Sequence, residues 1–227
     1  MPAPNTDSIL VAFSAGKDSI VTLDLAVKRY KKVQCFFMYY VDHLSFNDEV
    51  IEWAEKRYKL SIIRTPHFEL ASLLKRGDMS HSDHDLKHRK PVDLYDLMRY
   101  ETGIDWIATG EMKCESIERR AMIGALGPSS VRDGVCDPKR RIWFPLADWS
   151  KSASFNYMKR NRIPVPGIYK HLSRSFGYMR GSELSVIARE YPADYAKIRA
   201  VFPLAEVRRI QYEQEAAHEH ETSEVQG

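Results

Sequence analysis

Four short segments, residues 8–13 (SILVAF), 33–41 (VQCFFMYYV), 60–64 (LSIIR) and 104–109 (IDWIAT), are rich in β-branched and aromatic residues and read as buried strands. Helix-like patterns stand between them. Residues 18–30 place Ile20, Leu23, Val27 and Tyr30 at helical spacing, 47–59 do the same with Val50, Ile51, Ala54 and Tyr58, and 68–75 and 93–100 read as two more helices. This alternation leaves a narrow choice of fold: an α/β protein with a parallel sheet, helices on both faces, and right-handed crossovers. Ligands of such sheets bind beyond the carboxyl ends of the strands. The turns after Phe13, Val41 and Thr109 are therefore expected to converge on one crevice.

The first of these turns carries the most chemistry. The stretch VAFSAGKDSIV, residues 11–21, runs from strand to helix through small residues, a lysine, an aspartate and two serines. Such a turn offers unpaired backbone N–H groups beside the positive end of a helix dipole, which suits a phosphate. Ser14, Ala15 and Gly16 are small enough to admit an anion, Gly16 can take a positive φ, Lys17 adds a point charge and Ser19 a hydroxyl donor. An ordinary capped strand-to-helix turn is the competing reading. A Walker-type loop is excluded, because it would need glycine at Val11 and Ser or Thr at Asp18.

From about residue 145 the strand signals stop, and helical segments separated by proline take over, such as SASFNYMKRN and SELSVIARE. The expected division is a nucleotide-binding α/β domain over 1–145, a helical C-terminal subdomain over 146–210, and an acidic tail over 211–227 that is either a frayed helix or disordered. With 227 residues, 44% of them hydrophobic, the chain can bury a sizeable core. Its three cysteines, Cys35, Cys114 and Cys136, form no CxxC pair, so neither a disulfide framework nor a cysteine-rich metal site is suggested. Together with an N-terminus, MPAPNTDS, that lacks a signal-like pattern, and with no apolar run of membrane-spanning length, this gives the expectation of a soluble, cytoplasmic protein. A formal charge of +3 is too mild to identify a nucleic-acid binder, although basic patches at 87–90, 119–120 and 139–141 keep that partner open.

SAGKDS resembles the pyrophosphate loop, SGGKDS or SxGKDS, of the ATP pyrophosphatase (PP-loop) superfamily. Three later stretches resemble its phosphoadenosine phosphosulfate reductase branch, which includes ATP-using relatives such as the small subunit of sulfate adenylyltransferase: YYVDHLSFNDEVIEWAEK, TGEMKCESIERR, and FPLADWS followed by IPVPGIYKH. The resemblance spans roughly residues 8–203 and implies an adenine nucleotide alpha hydrolase-like fold. It also implies that the loop holds the β- and γ-phosphates of ATP while a nucleophile attacks the α-phosphate, giving an adenylylated acceptor and pyrophosphate. Carried over, Ser14, Ala15, Gly16, Lys17, Asp18 and Ser19 become neighbours of phosphate and Mg²⁺, with Lys17 stabilising the leaving pyrophosphate. Asp42 stands where the family has the Asp of "VDTG" and would face the nucleotide or its metal, or else cap the following helix; His43 replaces the small residue usual there.

In GEMKCESIERR, Gly110 would allow close backbone approach, and Glu115, Ser116, Arg119 and Arg120 occupy the positions of "GxRxxESxxR". Arg119 and Arg120 would meet anionic oxygens, unless this stretch is only a solvated helical face. Met112 stands where the first arginine is expected, with Lys113 beside it. Phosphosulfate reductases use a cysteine in a C-terminal "ECGxH" segment, and many relatives carry a "GCxxC" pair; here Tyr178 replaces the first of that pair and no cysteine follows Cys136. His81, His84 and His88 in HSDHDLKHRK have spacings that suit a metal, but read better as a substrate loop with His88, Arg89 and Lys90 as contacts. Trp149 and Tyr169 read as packing residues. The expected activity is adenylylation of an acceptor oxygen with ATP and Mg²⁺. The alternatives are a sulfonucleotide reductase and a non-catalytic nucleotide-binding subunit of a nucleic-acid modification system. A second copy of the chain or a partner subunit is left open.

Overall fold

The computed structural model describes residues 3–77, 79–172, 174–177 and 179–225, with side chains to 218. Among these residues the chain forms one six-stranded sheet in the order β3-β2-β1-β4-β6-β5, from β1 (Ser8–Phe13), β2 (Lys32–Tyr39), β3 (Ile62–Pro66), β4 (Ile107–Ala108), β5 (Val135–Asp137) and β6 (Ile142–Phe144). β1 pairs in parallel with β2 and with β4, so that Val11 lies opposite Cys35 on one side and Ala108 on the other. β4 pairs in parallel with β6, and only the edge strand β5 is shown antiparallel.

Both faces of the sheet are covered, which is why the strands read as continuous apolar runs rather than alternating ones. Ile9, Val11 and Phe13 of β1 share a core with Ile20 and Leu23 of α1 (Lys17–Arg29), Val50 and Ala54 of α2 (Ser45–Tyr58), and Met158 of α6 (Lys151–Arg160). On the other face Phe36 of β2 meets Tyr95 of α4 (Pro91–Thr102) edge to face at 5.9 Å, and Ile123 of α5 (Ile117–Gly124) packs with Val135, Ile142 and Phe144. Leu10 in the middle of β1 is fully buried, worth about 1.5–3 kcal/mol for such a side chain.

The apolar pattern does not reveal the β5–β6 hairpin, because three residues in each strand are too few to display a period. Its turn is nonetheless written in local chemistry: Asp137 Oδ1 accepts the N–H groups of Lys139 and Arg140, both at 3.0 Å. Gly134, at φ +65°, brings the chain so close to β6 that a Cβ would sit 2.0 Å from the Phe144 carbonyl oxygen. The basic patch at 139–141 is this turn, with Arg140 paired to Asp137 and Arg141 to Asp105.

Two compact units are distinguished. Residues Met1–Tyr39, Glu49–Thr65 and Pro91–Pro166 form the first, which contains the sheet. Residues Tyr40–Asp48, Pro66–Lys90 and Gly167–Gly227 form the second, with α3 (Leu70–Arg76), a 3-10 turn at Gly167–Lys170, α7 (Gly181–Glu190), α8 (Pro192–Val201) and α9 (Ala205–Val225). Its core brings Val41, Leu44 and Phe46 together with Met79, Leu184 and Phe202. Buried Asp194 ties the start of α2 to α8 by accepting the N–H of Ser45 at 2.8 Å and its hydroxyl at 2.6 Å. Among the described residues no helix is long and apolar enough to cross a membrane.

Candidate functional site

In the strand order, β1 stands between β2 and β4, so the chain runs outward from β1 to β2 and β3 and then returns to the opposite side. The crevice at such a reversal lies beyond the carboxyl ends of β1 and β4. Two loops, both in the sheet-containing unit, leave from there: 14–16 leading to α1, and 109–116 leading to α5.

Three residues link β1 to α1, and the turn differs from expectation in one respect. Ala15, not Gly16, takes the left-handed conformation at φ 55°, which costs an L-residue roughly 1–2 kcal/mol. The Ala15 side chain is buried in the core. Gly16 is extended, at φ −94° and ψ 162°, as the N-cap of α1, and no side chain caps the helix. The first helical bond runs from the Ile20 N–H to the Gly16 carbonyl at 3.0 Å, so the earlier N–H groups have no acceptor within the helix.

The side chains of the turn interlock. Ser14 Oγ donates to Ser19 Oγ at 3.2 Å, and Ser19 Oγ donates to the Gly16 carbonyl at 2.9 Å. Lys17, largely buried, places Nζ 2.5 Å from Asp18 Oδ2 and 5.5 Å from the ring centroid of Phe155 on α6. Asp18 Oδ1 accepts the hydroxyl of Ser154, also on α6, at 2.7 Å. Nothing local in the sequence marks Ser154 and Phe155: Ser154 is 136 positions from Asp18 and sits in an ordinary helical pattern.

The second loop begins with Gly110 pressed against α1. A Cβ on Gly110 would lie 3.0 Å from the Asp18 carbonyl carbon and 3.1 Å from the Ser19 nitrogen. The close approach it permits is thus to the backbone of the first turn. Beyond it, Glu115 Oε2 accepts the Met112 N–H at 3.0 Å and the Arg119 guanidinium at 2.8 Å, while Arg119 Nε is 3.7 Å from Glu111. Burial holds the Glu111 carboxyl above the usual carboxylate range, with Arg119 pulling the other way. Ser116 caps α5 by accepting the Arg119 N–H at 3.1 Å. Met112 is a core residue, and Lys113 is engaged by Asp148 at 2.9 Å and Ser129 at 2.5 Å. Arg120 is exposed on α5.

The structure brings Ser14, Ala15, Gly16, Lys17, Asp18, Ser19 and Gly110 into direct contact around the first turn of α1, with Arg119 and Arg120 on the helix that follows Gly110. Asp42 belongs to the helical unit, where Oδ1 accepts the N–H of His43 at 2.9 Å; His43 has φ 55° and also reaches Asp48 at 3.3 Å. The N–H of Ser45, the first residue of α2, goes to Asp194. His88 pairs with Ser72 at 2.6 Å, and His81 and His84 are exposed. Among the described residues no group of three His, Cys, Asp or Glu side chains is arranged to hold a metal. Cys35 and Cys136 are buried in β2 and β5, and Cys114 gives its S–H to the Trp149 carbonyl at 3.3 Å, so the thiols do not form a cluster-ligand set. Tyr178 lies outside the described residues.

The family model of the phosphoadenosine phosphosulfate reductase domain matches residues 8–183. The chain belongs to that family. Membership makes it a PP-loop protein of the ATP pyrophosphatase superfamily, whose members are nucleotide-utilising enzymes. No curated protein matches the chain. It is similar to the solved structure of U34-tRNA thiolase NcsA from Methanococcus maripaludis with its 4Fe-4S cluster, at 14% identity over 89% of this chain and 72% of that one, TM-score 0.48. It is also similar to phosphoadenylyl-sulfate reductase from Candida auris in a phosphate complex, at 20% identity over 71% and 76% of the two chains, TM-score 0.44. A third is the NH3-dependent NAD synthetase from Campylobacter jejuni, at 12% identity over 92% and 86%, TM-score 0.45.

Proposed function

We propose that this phosphoadenosine phosphosulfate reductase-family protein is an ATP pyrophosphatase of the adenylylating kind. An acceptor oxygen attacks the α-phosphorus of ATP, the bond between the α- and β-phosphates breaks, and pyrophosphate leaves from an adenylylated acceptor. One observation carries this reading: the N-terminus of α1 has no side-chain cap and stands at the reversal point of the sheet with Lys17 beside it. Backbone N–H groups and an ammonium there suit the charge that builds on departing pyrophosphate, and they act most strongly where water is excluded.

Ser14, Ala15, Gly16 and Ser19 line the phosphate seat, and Gly110 sets its depth. Mg²⁺ fits this donor set as a companion of the phosphates, since the turn offers one carboxylate, Asp18, and this ion is usually held by one or two carboxylates plus phosphate oxygens. Bound there, it would offset phosphate charge. Arg119 and Arg120 serve anionic oxygens of the substrates, and Asp42 serves the nucleotide or its metal, as the family resemblance implies. A thiol-based reduction at Cys35 or Cys136 is disfavoured by chemistry: burial pushes the Cys35 thiol up, and that of Cys136 to about 11, away from the thiolate such a step needs.

The test is chromatography of products from α-labelled ATP with Mg²⁺ and candidate acceptors. AMP or an adenylyl adduct, with pyrophosphate, is the expected outcome. ADP and phosphate as main products would refute the mechanism.

A further inference from the structure

The side chains of the phosphate turn are braced from α6. Ser150 caps α6 by accepting the Ala153 N–H at 3.2 Å, and Met158 anchors it in the core. Tyr157 fastens it to α1, donating its hydroxyl to buried Asp24 at 2.6 Å while accepting from Lys28 at 2.9 Å. A helix pinned in this way presents Ser154 and Phe155 to the first turn of α1 with little freedom. Ser154 is fully buried, and its hydroxyl bond to Asp18 has the 2.7 Å length of a charge-assisted contact. Phe155 places its ring near the Lys17 ammonium.

We propose that Ser154 and Phe155 are positioning residues for the phosphate turn, an inference that rests on the ATP reading above. Ser154 holds one oxygen of Asp18 so that the other faces Lys17. When a polyphosphate enters, Lys17 exchanges Asp18 for phosphate, and Asp18 stays in place because its second oxygen is tethered. Phe155 covers the ammonium and keeps its charge aimed inward. Side chains held by a fixed supporting layer are what a phosphate seat needs, since looseness of about 1 Å spoils such a site.

The experiment is calorimetric titration of ATP and of inorganic pyrophosphate, each with Mg²⁺, into wild type, Ser154→Ala, Phe155→Leu, Asp18→Ala and the Asp18→Ala/Ser154→Ala double variant, with thermal melts of each. Ser154→Ala should weaken both ligands by about tenfold, the scale of a lost hydrogen bond to a charged group. Phe155→Leu should weaken them by about threefold, the scale of an accessible cation–π contact, and with its ring partly exposed it keeps the fold if Ser154→Ala does not. In the Asp18→Ala background the Ser154 substitution should add nothing, whereas a purely structural serine would give additive losses. Additive losses, or unchanged affinity in both single variants, would overturn the proposal while leaving the ATP reading intact. Failure of wild type to bind either ligand would overturn both.

Discussion

Two strand-to-helix loops leave the adjacent strands β1 and β4 and meet where Gly110 packs on the first turn of α1, and they differ in how they use their polar groups. The loop into α5 is closed on itself: Ser116 caps the helix, Glu115 takes the Met112 N–H and the Arg119 guanidinium, and Lys113 is held by Asp148. The loop into α1 has a glycine at the N-cap and no capping side chain, and its lysine is paired with a neighbouring carboxylate steadied from another helix. Unmet N–H groups at a helix start are costly unless water or a ligand satisfies them. On the function proposed above, the contrast gives anion binding to α1, and to the α5 loop close packing against α1 through Gly110.

Lys17→Ala should show the largest effect, a loss of roughly 10²–10³ in turnover, the scale for removing one preorganised charge-stabilising donor. Steady-state kinetics on a variant that keeps its circular dichroism spectrum would check it. Gly110→Ala comes next. Its new methyl meets the Asp18 backbone at 3.0 Å, and backbone cannot yield as a flexible side chain does. A drop of about tenfold in kcat is expected, short of the roughly 10² that a 1 Å misplacement can cost.

Arg119→Ala sharpens the contrast from the other side. Because the guanidinium is already shared by Glu115 and Glu111, its loss should slow turnover by less than about tenfold, or under about 1.4 kcal/mol of barrier. An effect equal to that of Lys17→Ala would erase the distinction between the loops. Smallest is Ser116→Ala, which removes a helix cap and should lower stability by about 1 kcal/mol in denaturant titration, with ATP affinity unchanged.

What was legible in the sequence follows the range of the forces involved. β1 and the glycine turn could be read because a strand buried on both faces must be continuously apolar, and because SAGKDS is contiguous. Strand ends were less legible: β2 stops at Tyr39, and the next residues, Tyr40 and Val41, are equally apolar but belong to the core of the other unit. Gly16 is the natural candidate for a positive φ, yet Ala15 adopts it with its side chain buried in the core, a choice that local preference does not predict. Arg119 and Arg120 look alike in a string, and only the fold reveals that Glu111 and Glu115 surround the first. Ser154 and Phe155 reach the turn from across the chain, and such long-range pairs leave no local pattern. The helix expected near Asp93 and those at SASFNYMKRN and SELSVIARE were readable from period alone.

The central claim, that the open N-terminus of α1 grips the pyrophosphate end of ATP, is tested most directly by titrating ATP, pyrophosphate and AMP into wild type and Lys17→Ala. The account predicts that wild type binds ATP and pyrophosphate more tightly than AMP, and that Lys17→Ala loses about tenfold or more for the first two, as befits a charge-assisted contact, while AMP binding is unchanged. Equal affinities for all three ligands, unaltered by the substitution, would contradict it.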